Sequence, residues 1–80
     1  MSWSVSVSAP ASEAVVKIAD DTTLPPPIRE YITDGIEALA KQYGKDVVVA
    51  VSGQGHLHTG EAGNYDVTSA SINVYRQTAA

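Results

Sequence analysis

The sequence predicts a small two-layer α+β domain of element order β-α-α-β-β, a three-stranded sheet with both helices on one face. Three observations carry that reading. Residues 1–9 alternate apolar and serine without a fault, residues 28–43 repeat apolar positions in steps of three and four, and residues 46–52 are a run of valines followed later by a second alternating stretch, 64–76. Period two marks a half-buried strand and period 3.6 an amphipathic helix. Eighty residues make one domain, 1–80, with no room for a second core. With no cysteine, neither a disulfide nor a thiolate metal site can reinforce it, which leaves oligomerisation as the common aid.

Taken in order, the first strand places Met1, Trp3, Val5, Val7 and Ala9 on one face, with Trp3, Val5 and Val7 toward the core, and Ser2, Ser4, Ser6 and Ser8 on the other. Pro10 ends it, having no N–H to give to a ladder. Ser12 stands where a helix N-cap would, with Glu13 in the first turn and Val15, Ile18 and Ala19 on one face. Val16 and Ile18 would equally suit a strand. Residues 20–27 form a connector whose three prolines fix an extended approach, and Pro27 can sit in the next helix's first turn.

The long helix, 28–43, is the element the strands must pack against. Ile28, Ile32, Ile36 and Leu39 form its core face, with Tyr31, Gly35, Ala40 and Tyr43 on the same stripe. Glu30, Asp34, Glu37 and Lys41 repeat on the opposite side, where water can reach them. Gly35 weakens the helix, and close approach of its backbone to the sheet would explain it. Gly44 is the expected terminating glycine.

The second strand, 46–52, is apolar on both faces, with Val47, Val49 and Val51 on one and Val48 and Ala50 on the other, as in a central or otherwise covered strand. A glycine-rich loop over 53–63 leads to the third strand, 64–76, where Ala70, Ile72 and Val74 oppose Val67, Ser69, Ser71, Asn73 and Tyr75. Residues 77–80 read as a frayed tail. A right-handed crossover from strand one to strand two permits two sheet orders. In 2-3-1 all neighbours are antiparallel; in 1-2-3 the first two strands are parallel. The order 2-3-1 is preferred because antiparallel pairs are commoner.

Composition excludes several functions. Nine acidic residues against five basic ones give a net charge of −4, and the basic residues are scattered, so nucleic-acid binding has no electrostatic footprint. The acids of the long helix are interrupted by Arg29 and Lys41 and read as a solvated face rather than a nucleic-acid mimic. No segment has the length of a membrane span, and the N-terminus has no signal-peptide pattern, so a soluble, non-exported chain is expected. No nucleophile, base and orienting group can be grouped, and no enzymatic activity is expected. The glycines of 53–55 are followed by a strand, not by the helix N-terminus that phosphate-binding loops require.

His56, His58 and Glu61 form the candidate metal set, since two histidines and a carboxylate are a known ligand combination. Three ligands in one loop are poorly held, so the assignment is a solvated hairpin tip with no metal and no cofactor. The informative surface is the outer sheet face. Ser4, Ser6, Val48, Ala50, Ser69, Ser71 and Asn73 are the interface candidates, a small-residue surface almost without charge, where solvated faces and edges normally carry Lys, Glu or Arg. Val48 and Ala50 would need cover if strand two were an edge.

The opening Met1-Ser-Trp-Ser-Val-Ser-Val-Ser, the valine-rich strand running into Ser52-Gly-Gln-Gly-His56 and the closing Asn64-Tyr-Asp-Val-Thr-Ser-Ala-Ser-Ile-Asn-Val resemble small proteins encoded by phages of actinobacteria, mycobacteriophages included. The resemblance spans most of the chain and rests on strand patterns; the proline run at 25–27 departs from it. It implies a phage origin and residence in the cytoplasm of the bacterial host or in the virion, and it assigns no activity to any residue. The expected function is a non-enzymatic accessory protein, an interaction module that forms a homo-oligomer through its sheet, with a host protein as a further partner. A minor virion component is the alternative, and metal or small-ligand binding at 53–63 the third reading.

Overall fold

The computed structural model describes residues 2–59 and 65–77, with backbone alone for 57–59 and 65–69. Five elements follow in the order β1 (Ser2–Pro10), α1 (Ala11–Ala19), α2 (Pro26–Tyr43), β2 (Val48–Thr59) and β3 (Tyr65–Arg76). The sheet is antiparallel throughout, in the order β1-β2-β3. The preferred order 2-3-1 is therefore corrected to 1-2-3, and β1 and β2 run in opposite directions rather than parallel.

The physical reason lies in the helix pair. A single crossover helix returns the chain to the start of a parallel strand, but two helices go out and back. The chain leaves the sheet at Pro10 and re-enters beside it, where Pro10 pairs with Val48. β2 then has only one way to run, back along β1. The two helices serve as the loop of a very long hairpin.

Pro10 also starts α1, and no side chain caps it. Ala11 N–H donates to the Val47 carbonyl at 2.7 Å and Ser12 N–H to that of Lys45 at 3.2 Å. Backbone arriving from the far end of the helical excursion thus satisfies donors that a helix start leaves open. Ser12 lies inside the first turn and is not the N-cap expected of it. Ala11, Ala14 and Ile18 are buried, whereas Ala19 is exposed.

Between the helices, Thr23 N–H and its hydroxyl both donate to Asp21 Oδ1, and Leu24 N–H bonds the Asp21 carbonyl at 3.3 Å. This turn drives Leu24 into the core. α2 starts two residues earlier than its periodicity shows, because Pro26 and Pro27 occupy the positions whose N–H groups have no partner in any case. Arg29 reaches back from the first turn to the Ala19 carbonyl at 3.3 Å, tying the two helices. Gly44, at φ 100°, ends α2 in a conformation that residues with a β-carbon avoid.

Ile28, Ile32 and Ile36 are buried as expected, and Leu39 is half-buried. Tyr31 and Tyr43, placed on the same stripe by spacing, are exposed at 62% and 45%. The face that α2 turns to the core holds the three isoleucines, with Leu39 and Ala40 partly buried beside them. Burial of each isoleucine contributes roughly 1.5–3 kcal/mol.

α1 packs over β1 and α2 over β3. Under them run the cross-strand rows Ala9–Val49–Arg76, Val7–Val51–Val74, Val5–Gly53–Ile72 and Trp3–Gly55–Ala70. Arg76 closes the first row from above, its guanidinium 4.2 Å from the centre of the Tyr43 ring. β2 begins at Val48 and continues through Thr59, so the expected loop over 53–63 is strand in its first half. Gly53 and Gly55 are paired positions of that strand, and the β2–β3 register skips Thr68 where it shifts after His56. Gln77 is bound, not frayed: its N–H donates to the Val48 carbonyl at 2.9 Å and its Oε1 accepts from the Ser8 hydroxyl.

Candidate interaction face

The outer face of the sheet follows from the alternation of its three strands. Opposite the helices lie the rows Ser4–Gln54–Ser71, Ser6–Ser52–Asn73 and Ser8–Ala50–Tyr75, with Ser2–His56 beyond one end and Pro10–Val48 beyond the other. The residues of these rows include no Asp, Glu, Lys or Arg; further along the sheet Asp66 pairs with His58. Every charged residue outside 60–66, apart from Arg76, lies between Glu13 and Asp46, in the helices and their connections. Charge is concentrated in the acidic helical layer, whereas the strands hold only Asp66 and Arg76, both in β3.

The face is not uniform along its length. At one end Val48 is 40% exposed and Tyr75 53%, with Ala50 directly opposite Tyr75. These three make a small apolar patch. Tyr75 is the residue missed among the interface candidates, although its parity in the third strand already placed it with Ser71 and Asn73. At the other end an open hollow of about 590 Å³ is lined by the side chains of Ser2, Ser4, Gln54, His56 and Ser71. A second, of about 320 Å³, shares Gln54 and Ser71 and adds Ser52 and Asn73. Trp3 and Gly55 in the first hollow, and Val5 and Gly53 in the second, belong to rows that face the helices, so on this side they contribute backbone. Hydroxyl, amide and imidazole groups over exposed backbone can exchange hydrogen bonds with another chain at little desolvation cost compared with charged side chains.

Of the interface candidates, Ser4, Ser6, Val48, Ala50, Ser71 and Asn73 are brought together on this face. Ser69 pairs with His56 through its backbone, and its side chain lies outside the described residues. β2 is the central strand, so the edge condition attached to Val48 and Ala50 is not met; what exposes them is the uncovered face. Of the metal candidates, His56 stands in β2 on the outer face rather than in a loop. The side chain of His58 and all of Glu61 lie outside the described residues. Among the described residues no three His, Cys, Asp or Glu side chains come together as a metal site. No helix among them is long and apolar enough to cross a membrane.

No protein-family model, curated protein or solved structure matches this chain.

Proposed function

We propose that the chain is a non-enzymatic interaction module that self-associates through its sheet. One observation carries the reading: the rows from Ser2–His56 to Pro10–Val48 present a face without Asp, Glu, Lys or Arg, while the helical layer holds seven acids against four bases. Copies of an acidic protein repel one another unless they meet through neutral surface, and the sheet is where neutral surface is found. Tyr75, Val48 and Ala50 add the aromatic and aliphatic anchors that interaction surfaces use. The likeness of its strands to small actinobacteriophage proteins supports an accessory role in a phage, within the bacterial host or the virion.

Magnitude limits how the face can be used. Three strands about 4.8 Å apart, nine, twelve and twelve residues long at about 3.3 Å each, present only ~500 Å² of flat surface per copy. Two copies stacked face to face would bury on the order of 1,000 Å², short of the roughly 1,200 Å² at which stable specific interfaces begin. Face packing alone thus gives a transient contact, and strand pairing has to contribute to a lasting one. Static light scattering at tens of micromolar tests the proposal. A mass of twice the chain or more is expected; a monomer mass throughout that range overturns it.

A further inference from the structure

We infer that two copies join edge to edge through β1, in antiparallel register about a two-fold axis at Val5, to form one continuous six-stranded sheet. This rests on the self-association proposed above and specifies its geometry.

The outer edge of β1 holds backbone groups that no neighbour in the sheet pairs. Ala11 N–H bonds to Val47 O, and Gln77 N–H bonds to Val48 O. In an antiparallel ladder the bonded pairs alternate. Carried through the register, the first bond makes Trp3, Val5, Val7 and Ala9 the residues whose N–H and C=O point at β2. The second assigns the even residues of β2 to β3, so that its odd residues face β1, and the two derivations agree. Ser2, Ser4, Ser6 and Ser8 therefore direct their N–H and C=O groups away from the sheet. Among the described residues no backbone group bonds to that edge. Pro10 has the same parity, and its missing N–H would have pointed there too.

Edge strands are normally protected by charge, bulges or internal proline. β3 shows such devices: its register skips Thr68, and its sequence carries Asp66 and Arg76. β1 has none of them before Pro10. Its nine residues are serine, small apolar and Trp3, in unbroken alternation.

The occupant follows from self-complementarity. With Val5 on the axis, Ser2 meets the partner's Ser8 and Ser4 meets the partner's Ser6, and every outward N–H and C=O of these serines finds a partner. Shifting the register by two residues either leaves Ser8 without a partner or sets Ser2 against Pro10, which cannot donate. In the same register Trp3 lies opposite the partner's Val7 and Val5 opposite the partner's Val5, so apolar meets apolar on the helix side and serine meets serine on the outer side. Charge permits the approach. The helix above β1 is α1, where Glu13 and Lys17 offset each other at 3.4 Å, while the acidic α2 sits over β3, away from the join.

The parity gives a sharp test. Ser6→Pro removes an N–H that the monomer does not use, on an edge strand that tolerates proline. It should keep the native circular-dichroism spectrum and scatter as a monomer at concentrations where the parent chain is a dimer. Val7→Pro removes a bond to β2 and should lose the native spectrum. Ser71→Lys, on the outer face of β3, should stay dimeric. A dimer that persists in Ser6→Pro overturns the β1 edge and leaves self-association standing; a monomeric parent chain overturns both. Loss of the dimer in Ser71→Lys but not in Ser6→Pro moves the contact to the face. Should Ser6→Pro fail to fold, single cysteines decide, because the chain has none of its own. Opposed residues of a non-hydrogen-bonded pair lie about 4.5 Å apart, within disulfide reach. Val5→Cys, on the axis, should oxidise to a covalent dimer, and Val7→Cys, opposite the partner's Trp3, should not; the reverse result overturns the register.

Discussion

At Gly35, on the side of α2 that meets β3, a β-carbon would lie 3.4 Å from Val74 Cγ1. That is ordinary van der Waals contact, so the backbone comes close to the sheet but leaves room for a methyl group. Gly35→Ala should raise stability by about 0.5–1 kcal/mol, the helix-propensity difference, seen as a higher melting temperature. At Gly53 the opposite holds. A β-carbon there would stand 2.8 Å from the Ser71 carbonyl oxygen and 3.3 Å from Ile72 Cα, both backbone atoms that cannot rotate aside. Gly53→Ala must shift the β2–β3 ladder and should cost about 1–3 kcal/mol in a denaturant titration. Two glycines within one core thus carry opposite predictions, and a neighbour's freedom to move sets the sign.

Among the elements, α2 is held by packing more than by propensity. Its N-terminus has no side-chain cap and its first turn has no acid, yet Ile32 and Ile36 are wholly buried. A carboxylate at Ile32 would have no partner there, at a cost comparable to the whole 5–15 kcal/mol that keeps a typical domain folded. Ile32→Asp should therefore abolish the cooperative thermal transition followed by circular dichroism. The elements themselves were legible from periodicity: β1 from its serines, α2 from its isoleucines, and β2 from its run of valines, although the preferred order placed β2 at an edge. Their ends were less so. Gly53 and Gly55 read as loop because glycine is a turn residue, whereas the cross-strand contact of Gly53 leaves no space for a side chain. Ser12 read as a cap because local sequence cannot show that the Val47 and Lys45 carbonyls arrive from the far end of the helical excursion. Strand order failed for a related reason. The crossover rule holds for a connection between parallel strands, whereas two helices reverse the direction once more and leave β1 and β2 antiparallel. The outer face was legible through the parity of Ser4, Ser6, Ser71 and Asn73, and Gln54 and His56 were lost with the misplaced end of β2.

For the whole molecule, the concentration of charge in the helical layer bears on how the proposed association would respond to solution conditions. Contacts between neutral surfaces gain nothing from opposite charges that salt could screen. Raising sodium chloride from about 0.05 M to about 0.5 M, which shortens the Debye length several-fold, should leave the dimer intact or strengthen it as repulsion between the acidic layers fades. Sedimentation velocity would show this as an unchanged or larger sedimentation coefficient.

The helical excursion between Pro10 and Val48 has a kinetic corollary. β2 and β3 can zip together from their own connection, and the two helices can meet across a short turn, but β1 has no partner nearby in the chain. Even its nearest pairing spans both helices, and loop-closure entropy makes such distant contacts slow to form. β1 is thus expected to seat last, and until it does the inward side of β2, with Val49 and Val51, would stay open along one margin. A newly made chain is most exposed to misassembly in that interval, when a second copy's β1 could fill the vacant place as readily as its own.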